Sequence, residues 1–170
     1  HSYGSYPSFS TAAAQITRIE KFQNAAEDGR GGLGTVNVKS AGNDNIDSNG
    51  EVIAASRFSV SVAAIGSTAT GNAASYSSYG AHILVAAPAG SVTTDRTGAT
   101  GYNGLTDQDY TNGFGGTSAA GPITAGVVAL MLDANAGLGW RDVQNILAYA
   151  ASGTGSLYSG VTTNENFGWK

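Results

Sequence analysis

The stretch Gly115-Gly116-Thr117-Ser118-Ala119-Ala120-Gly121-Pro122 constrains this chain more than any other. Consecutive glycines permit a sharp bend and a close approach of the backbone to another segment. Proline is tolerated in the first turn of a helix, so Pro122 predicts a helix starting just before it. Ser118 is then expected near the helix N-terminus, where N–H groups point outward and the helix dipole favours negative charge. A serine there can attack a carbonyl carbon while its own N–H binds the oxyanion that forms. A capping hydroxyl is the simpler role for a serine in that place. The run that follows, Ile123 to Leu132, has no charge and no polar side chain after Thr124. It predicts a helix that is apolar on every face and buried.

A second element stands upstream. Thr35-Val36-Asn37-Val38-Lys39 is β-branched and reads as a buried strand. It leads into Ser40-Ala41-Gly42-Asn43, so Asn43 falls just past the strand's C-terminal end, the edge at which open α/β sheets bind ligands. Gly-Asn-Asp-Asn is equally an ordinary turn sequence.

Around these two elements, strands and helices interleave. Ser8 to about Glu27 is expected as an amphipathic helix, with Ala12, Ile16, Ile19 and Phe22 at helical spacing and Ser8 or Ser10 as its cap. Phe58 to Ala63 alternates as a strand, and Ile83 to Ala87 is another. Asp44 to Gly50 is a loop, and Ser67 to Tyr79 is a polar loop or extended crossing. Ser91 to Gly113 reads as a long polar loop with turns at Asn103-Gly104 and Asn112-Gly113. Trp140 to Ala150 is a helix with Val143, Ile146 and Leu147 on its core face. The order argues for an α/β fold with a mostly parallel sheet, without internal repeat or domain boundary.

Composition removes several function classes. A net charge of −4 without any basic stretch leaves nucleic acid no electrostatic footprint. The longest apolar run is shorter than a membrane span, so no membrane partner is expected. The absence of cysteine excludes disulfides and thiolate metal sites from this segment. Only 12% charged residues and 25 glycines suit a compact, glycine-turned enzyme.

The segment from Gly115 to Ala151 resembles the nucleophile helix and following helix of the subtilisin-like serine proteases, in particular their kexin- and furin-like branch. The agreement covers Phe114 to Pro122, Ala125-Gly126-Val127 and Trp140-Arg141-Asp142-Val143-Gln144, with Thr93 to Gly98 and Asp109-Tyr110-Thr111 upstream. The resemblance implies a three-layer α/β subtilisin-like fold and a serine endopeptidase acting on peptide or protein substrates. It casts Ser118 as nucleophile and Asn43 as the side-chain donor of the oxyanion hole. Ser2-Tyr3-Gly4 and Ser40-Ala41-Gly42 would form the S1 walls, with Thr117 also against the substrate. The family needs an Asp and a His as well. His1 and His82 lack the family's context, and neither is assigned to catalysis. Residues 1–170 are therefore expected to be a partial peptidase domain, completed by an upstream portion of the same domain. The closing phrase Asn166-Phe167-Gly168-Trp169-Lys170 likewise stops short of the family's final segment.

The expected compartment is secreted or periplasmic. Catalysis would need no cofactor, and a structural calcium belongs, if anywhere, to the parent protein. Where the furin-like branch carries carboxylates, this chain has Ser5-Tyr6-Pro7 and Tyr76-Ser77-Ser78, against that branch's calcium site and strict cleavage after Arg. Asp44, Asp47 and Glu51 form either an acidic patch at S1 or an ordinary solvated loop. The competing class is a non-catalytic binding or scaffold protein on a degenerate subtilisin-like fold. A general α/β esterase is excluded because no Gly-x-Ser-x-Gly elbow surrounds Ser118.

Overall fold

The computed structural model describes residues 1, 13–66, 73–102 and 106–151. Three strands, β1 (Asn37–Ser40), β2 (Ser59–Ile65) and β3 (Ile83–Pro88), form a parallel sheet in the order β1-β2-β3. Val38 lies opposite Val60, and Val62 opposite Val85. β2 is the central strand and is buried over nearly its whole length, as a parallel sheet covered on both faces requires. Side-chain alternation divides its residues: Val60, Val62 and Ala64 join Val38, Val85 and Ala87 on one face. Against that face pack α2 (Thr117–Ala134) and α3 (Trp140–Ala150), through Ala120, Val128, Val143 and Leu147. Each fully buried Val in this layer contributes about 1.5–3 kcal/mol relative to exposure.

The opposite face carries Asn37, whose amide donates to the Phe22 carbonyl of α1 (Ala13–Asp28) and to the Phe58 carbonyl. Helices thus flank the sheet on both sides, the α/β/α layering expected. The predicted start of α1, with Ser8 and Ser10, lies outside the described residues. The α1 stripe is covered only in part, since Ile16 is exposed and Ala26 is fully buried. Arg30 ties the turn after α1 to the α2–α3 connection, donating to the carbonyls of Gly34, Ala136 and Leu138.

Three expectations are corrected. The Ser91–Gly113 stretch is not all loop: β4 (Gly90–Thr94) and β5 (Tyr110–Gly115) pair antiparallel, Ser91 opposite Phe114 and Thr94 opposite Tyr110. Asn112-Gly113 lies inside β5 rather than in a turn, and Asn103-Gly104 lies outside the described residues. The hairpin was hidden because both its faces are largely solvated, so hydrophobic alternation is weak; its ladder and the Asp95 N–H to Asp109 carbonyl bond of 2.7 Å close it instead. Second, α2 is not buried all round. Val127 is 44% and Leu130 71% exposed, and Ile146 and Tyr149 of α3 are exposed too. Eighteen residues long, α2 meets the length and composition of a membrane span, which the sequence reading denied to any run; here it packs on the sheet through Ala120 and Val128. Third, α2 begins at Thr117, so Pro122 lies in its second turn. It therefore has no N–H to offer the Ser118 carbonyl one turn back.

Candidate active site

β5 feeds directly into Gly116, and Gly116 into α2 at the C-terminal end of β1. Gly116 takes φ +75° as the N-cap residue, a backbone shape suited to glycine. A Cβ there would stand 3.1 Å from both amide atoms of Asn43. The glycine pair predicted to permit close approach does so, and the neighbour it admits is Asn43. Thr117 and Ser118 are the first two helical residues, and Ser118 is half-buried. Its N–H belongs to the first helical turn, whose donors point out of the helix.

Asn43 is exposed just beyond β1. Its Oδ1 accepts from the Thr117 N–H and from the Thr117 hydroxyl, both at 2.9 Å. A backbone N–H can only donate, so the amide atom facing it is the oxygen and Nδ2 is turned the other way. The Thr117 hydroxyl also accepts from the Gly42 N–H at 3.3 Å. Thr117 is buried, so these bonds form without competition from water. The Gly42 carbonyl accepts from the Ser78 N–H at 2.9 Å, and the Ser78 hydroxyl from the Asp44 N–H at 3.4 Å. The backbone around Asn43 is thus held from two sides, by Thr117 and by Ser78. Sequence reasoning quoted Tyr76-Ser77-Ser78 only for the carboxylate it lacks; no local signal marked Ser78 as a clamp.

The remaining candidates separate. Ser2, Tyr3 and Gly4 lie outside the described residues. Ala41 is buried and Gly42 partly exposed. Ser40 is 2% exposed, and its hydroxyl donates to the Thr117 carbonyl at 2.7 Å. The His1 main chain runs beside β1, its nitrogen donating to the Val38 carbonyl and its carbonyl accepting from the Ser40 N–H. Its ring packs on Phe22 with centroids 4.8 Å apart. The His82 ring lies between Ser48 Oγ and Asn49 Oδ1, at 3.3 and 3.2 Å. Burial holds His82 below the usual histidine range, with Lys39 adding to the shift and Glu51 and Asp47 opposing it.

The acidic patch is not formed as a trio. Asp44 and Asp47 are exposed, but Glu51 is 4% exposed and its carboxylate accepts from the Ala54 N–H. Its charge acts on Lys39, itself 1% exposed, whose ammonium donates to the Ser40 carbonyl at 3.0 Å. Burial lowers the Lys39 pKa, and Glu51 works against that shift. Among the described residues no three acidic or histidine side chains gather as a metal-ligand group.

The sequence profile of the Subtilase family matches residues 1–169. A calcium-dependent protease of Trichormus variabilis is 39% identical over 138 residues, covering 72% of this chain and 20% of the relative. The human proprotein convertase subtilisin/kexin type 4 is 35% identical over 144 residues, covering 80% and 18%. This chain therefore spans about a fifth of the length of the curated relatives it matches. The crystal structure of a serine protease of Aeromonas sobria superposes with a TM-score of 0.79 at 26% identity, over 89% of this chain and 33% of that one. Profile, relatives and fold agree with the resemblance carried by Gly115 to Ala151, and the chain belongs to the subtilase family.

Proposed function

We infer that this chain carries the nucleophile and oxyanion elements of a serine endopeptidase. The observation that supports it most is the pair of 2.9 Å bonds from Thr117 to Asn43 Oδ1. They tie the residue before Ser118 to the end of β1 and leave the Asn43 amide N–H groups for another acceptor. In this reading Ser118 Oγ attacks the carbonyl carbon of a peptide bond. A histidine elsewhere in the full-length protein, oriented by an aspartate, takes the proton and later delivers it to the leaving amine. Charge gathers on the former carbonyl oxygen, where Asn43 Nδ2 and the Ser118 N–H donate to it. An acyl-enzyme forms on Ser118 and water releases it.

The backbone of 2–4 would pair with an extended substrate as an added strand; the main-chain groups of Ser40 and Gly42 are already bonded within the fold, so 40–42 would serve only to wall its S1 side chain. The protein would act in a secreted or periplasmic setting. Calcium, named for the Trichormus variabilis relative, would enter as a structural ion of the full-length protein; the carboxylates of 44–51 do not converge on a site.

The test is Ser118→Ala in the full-length protein. Hydrolysis of a peptide substrate is expected to vanish while the circular-dichroism spectrum is unchanged, and a fluorophosphonate should label the wild type at Ser118 alone. Hydrolysis retained by the variant would overturn the reading. No hydrolysis and no adduct with the wild type would favour the binding-protein alternative.

A further inference from the structure

Ser40 ends β1, beside the proposed oxyanion site. Strand alternation puts its side chain on the same face as Val38, toward α2. At 2% exposure its hydroxyl has no route to a substrate. It donates instead to the Thr117 carbonyl at 2.7 Å, a short O–H···O bond. That carbonyl and the Ser118 N–H are the two ends of one planar peptide unit. A donor on the oxygen restricts rotation of that plane. It also draws electron density toward the oxygen, which strengthens the N–H at the other end as a donor.

The hydroxyl is itself firmly placed. The Ser40 N–H donates to the His1 carbonyl at 3.0 Å, and the Ser40 carbonyl accepts the buried Lys39 ammonium at 3.0 Å. Gly121 makes the space on the helix side, since a Cβ there would stand 2.8 Å from Ser40 Oγ. Among residues 40–42, Ser40 thus carries a side chain turned away from any S1 wall and toward the helix that bears the nucleophile.

We propose that Ser40 is a positioning residue, whose hydroxyl orients and polarises the Thr117–Ser118 peptide so that the Ser118 N–H is aimed at the oxyanion. This rests on the endopeptidase reading above and adds to it a residue that never touches substrate.

The experiment compares Ser40→Ala, Gly121→Ala and the double variant in the full-length protease, with kcat expressed per active site titrated by a fluorophosphonate. Ser40→Ala is expected to lower kcat by about three- to ten-fold with KM unchanged. Affinity for a peptide aldehyde, which forms an oxyanion on the enzyme, should weaken by the same factor. Gly121→Ala should lower kcat by displacing the hydroxyl. In the Ser40→Ala background it should have no such effect, because with the hydroxyl gone the added Cβ meets Ser40 N and Cβ at 3.8 and 3.9 Å, ordinary van der Waals contact. A purely structural role would lower stability or the fraction of active sites and leave kcat per site intact. Unchanged kcat per site in Ser40→Ala, or an undiminished Gly121→Ala effect in the double variant, overturns the proposal. Ser118→Ala in the same series separates the two ideas: its inactivity keeps the endopeptidase reading whatever Ser40 does, and its activity removes both.

Discussion

Thr117→Val tests how Asn43, the proposed oxyanion donor, is held. The substitution keeps the shape of the side chain and removes one hydroxyl. Two hydrogen bonds go with it: the 2.9 Å bond to Asn43 Oδ1 and the 3.3 Å bond from the Gly42 N–H. The Thr117 N–H to Oδ1 bond at 2.9 Å remains, so the amide keeps one anchor of two. Thr117 is 1% exposed, so water cannot replace the hydroxyl. A typical net hydrogen bond is worth about 0.5–1.5 kcal/mol, and losing these two should cost about 1–3 kcal/mol of stability. Only one of them acts on Asn43 itself, so turnover should fall about 2- to 12-fold. KM should stay unchanged, because in the proposed mechanism the asparagine engages charge that develops only in the transition state. The assay is steady-state hydrolysis of a peptide by the full-length protein, alongside urea unfolding. Thr117→Ser, which retains the hydroxyl, should keep near-wild-type turnover. Wild-type turnover in Thr117→Val would refute the reasoning. So would equal impairment in Thr117→Ser, which would make the methyl group rather than the hydroxyl responsible.

Two further outcomes follow from the scaffold. Gly34 has φ +83°, and a Cβ there would collide with the Ala26 carbonyl oxygen and the Trp140 ring; backbone strain of about 1–2 kcal/mol and overpacking of about 1–3 kcal/mol predict that Gly34→Ala loses about 2–5 kcal/mol, read from the urea midpoint. A loss no larger than an exposed Gly126→Ala control would contradict the packing described. His82 is held below the usual histidine range mainly by burial, so the folded state binds fewer protons than the unfolded chain in the window below the ordinary value of about 6.5. Its contribution should be complete above that value and lost as pH falls through the window, and His82→Gln should flatten this part of the pH–stability curve; an equally steep curve in the variant would exclude His82 as the titrating group.

How much was legible in the sequence follows the range of the interactions. The glycine pair, the apolar helix and the β-branched strands are properties of neighbours in the chain. They located α2, α3 and the three parallel strands, with α3 found from Trp140 to Ala150 as expected. The hairpin escaped because its pairing spans residues 95 to 109 and leaves both faces wet, so no alternation announces it. The exposed side of α2 escaped because apolar composition states what a helix can bury, whereas the elements beside it decide what it does bury. Pro122 shows the same limit: a proline signals that a helix start is near, and the hydrogen-bond pattern decides how near.

By itself the sequence determined the chemistry available: a hydroxyl at a helix start, an amide at a strand end, small residues between them, and membership of a protease family. Only the tertiary structure decided how those groups meet. Asn43 Oδ1 turned to Thr117 and Ser40 turned inward to the Thr117 carbonyl are contacts between residues far apart in the chain, and the buried Glu51 acts by its charge on the buried Lys39. Side-chain direction is set by strand register and by the space a distant glycine leaves, and neither quantity is written in the local sequence.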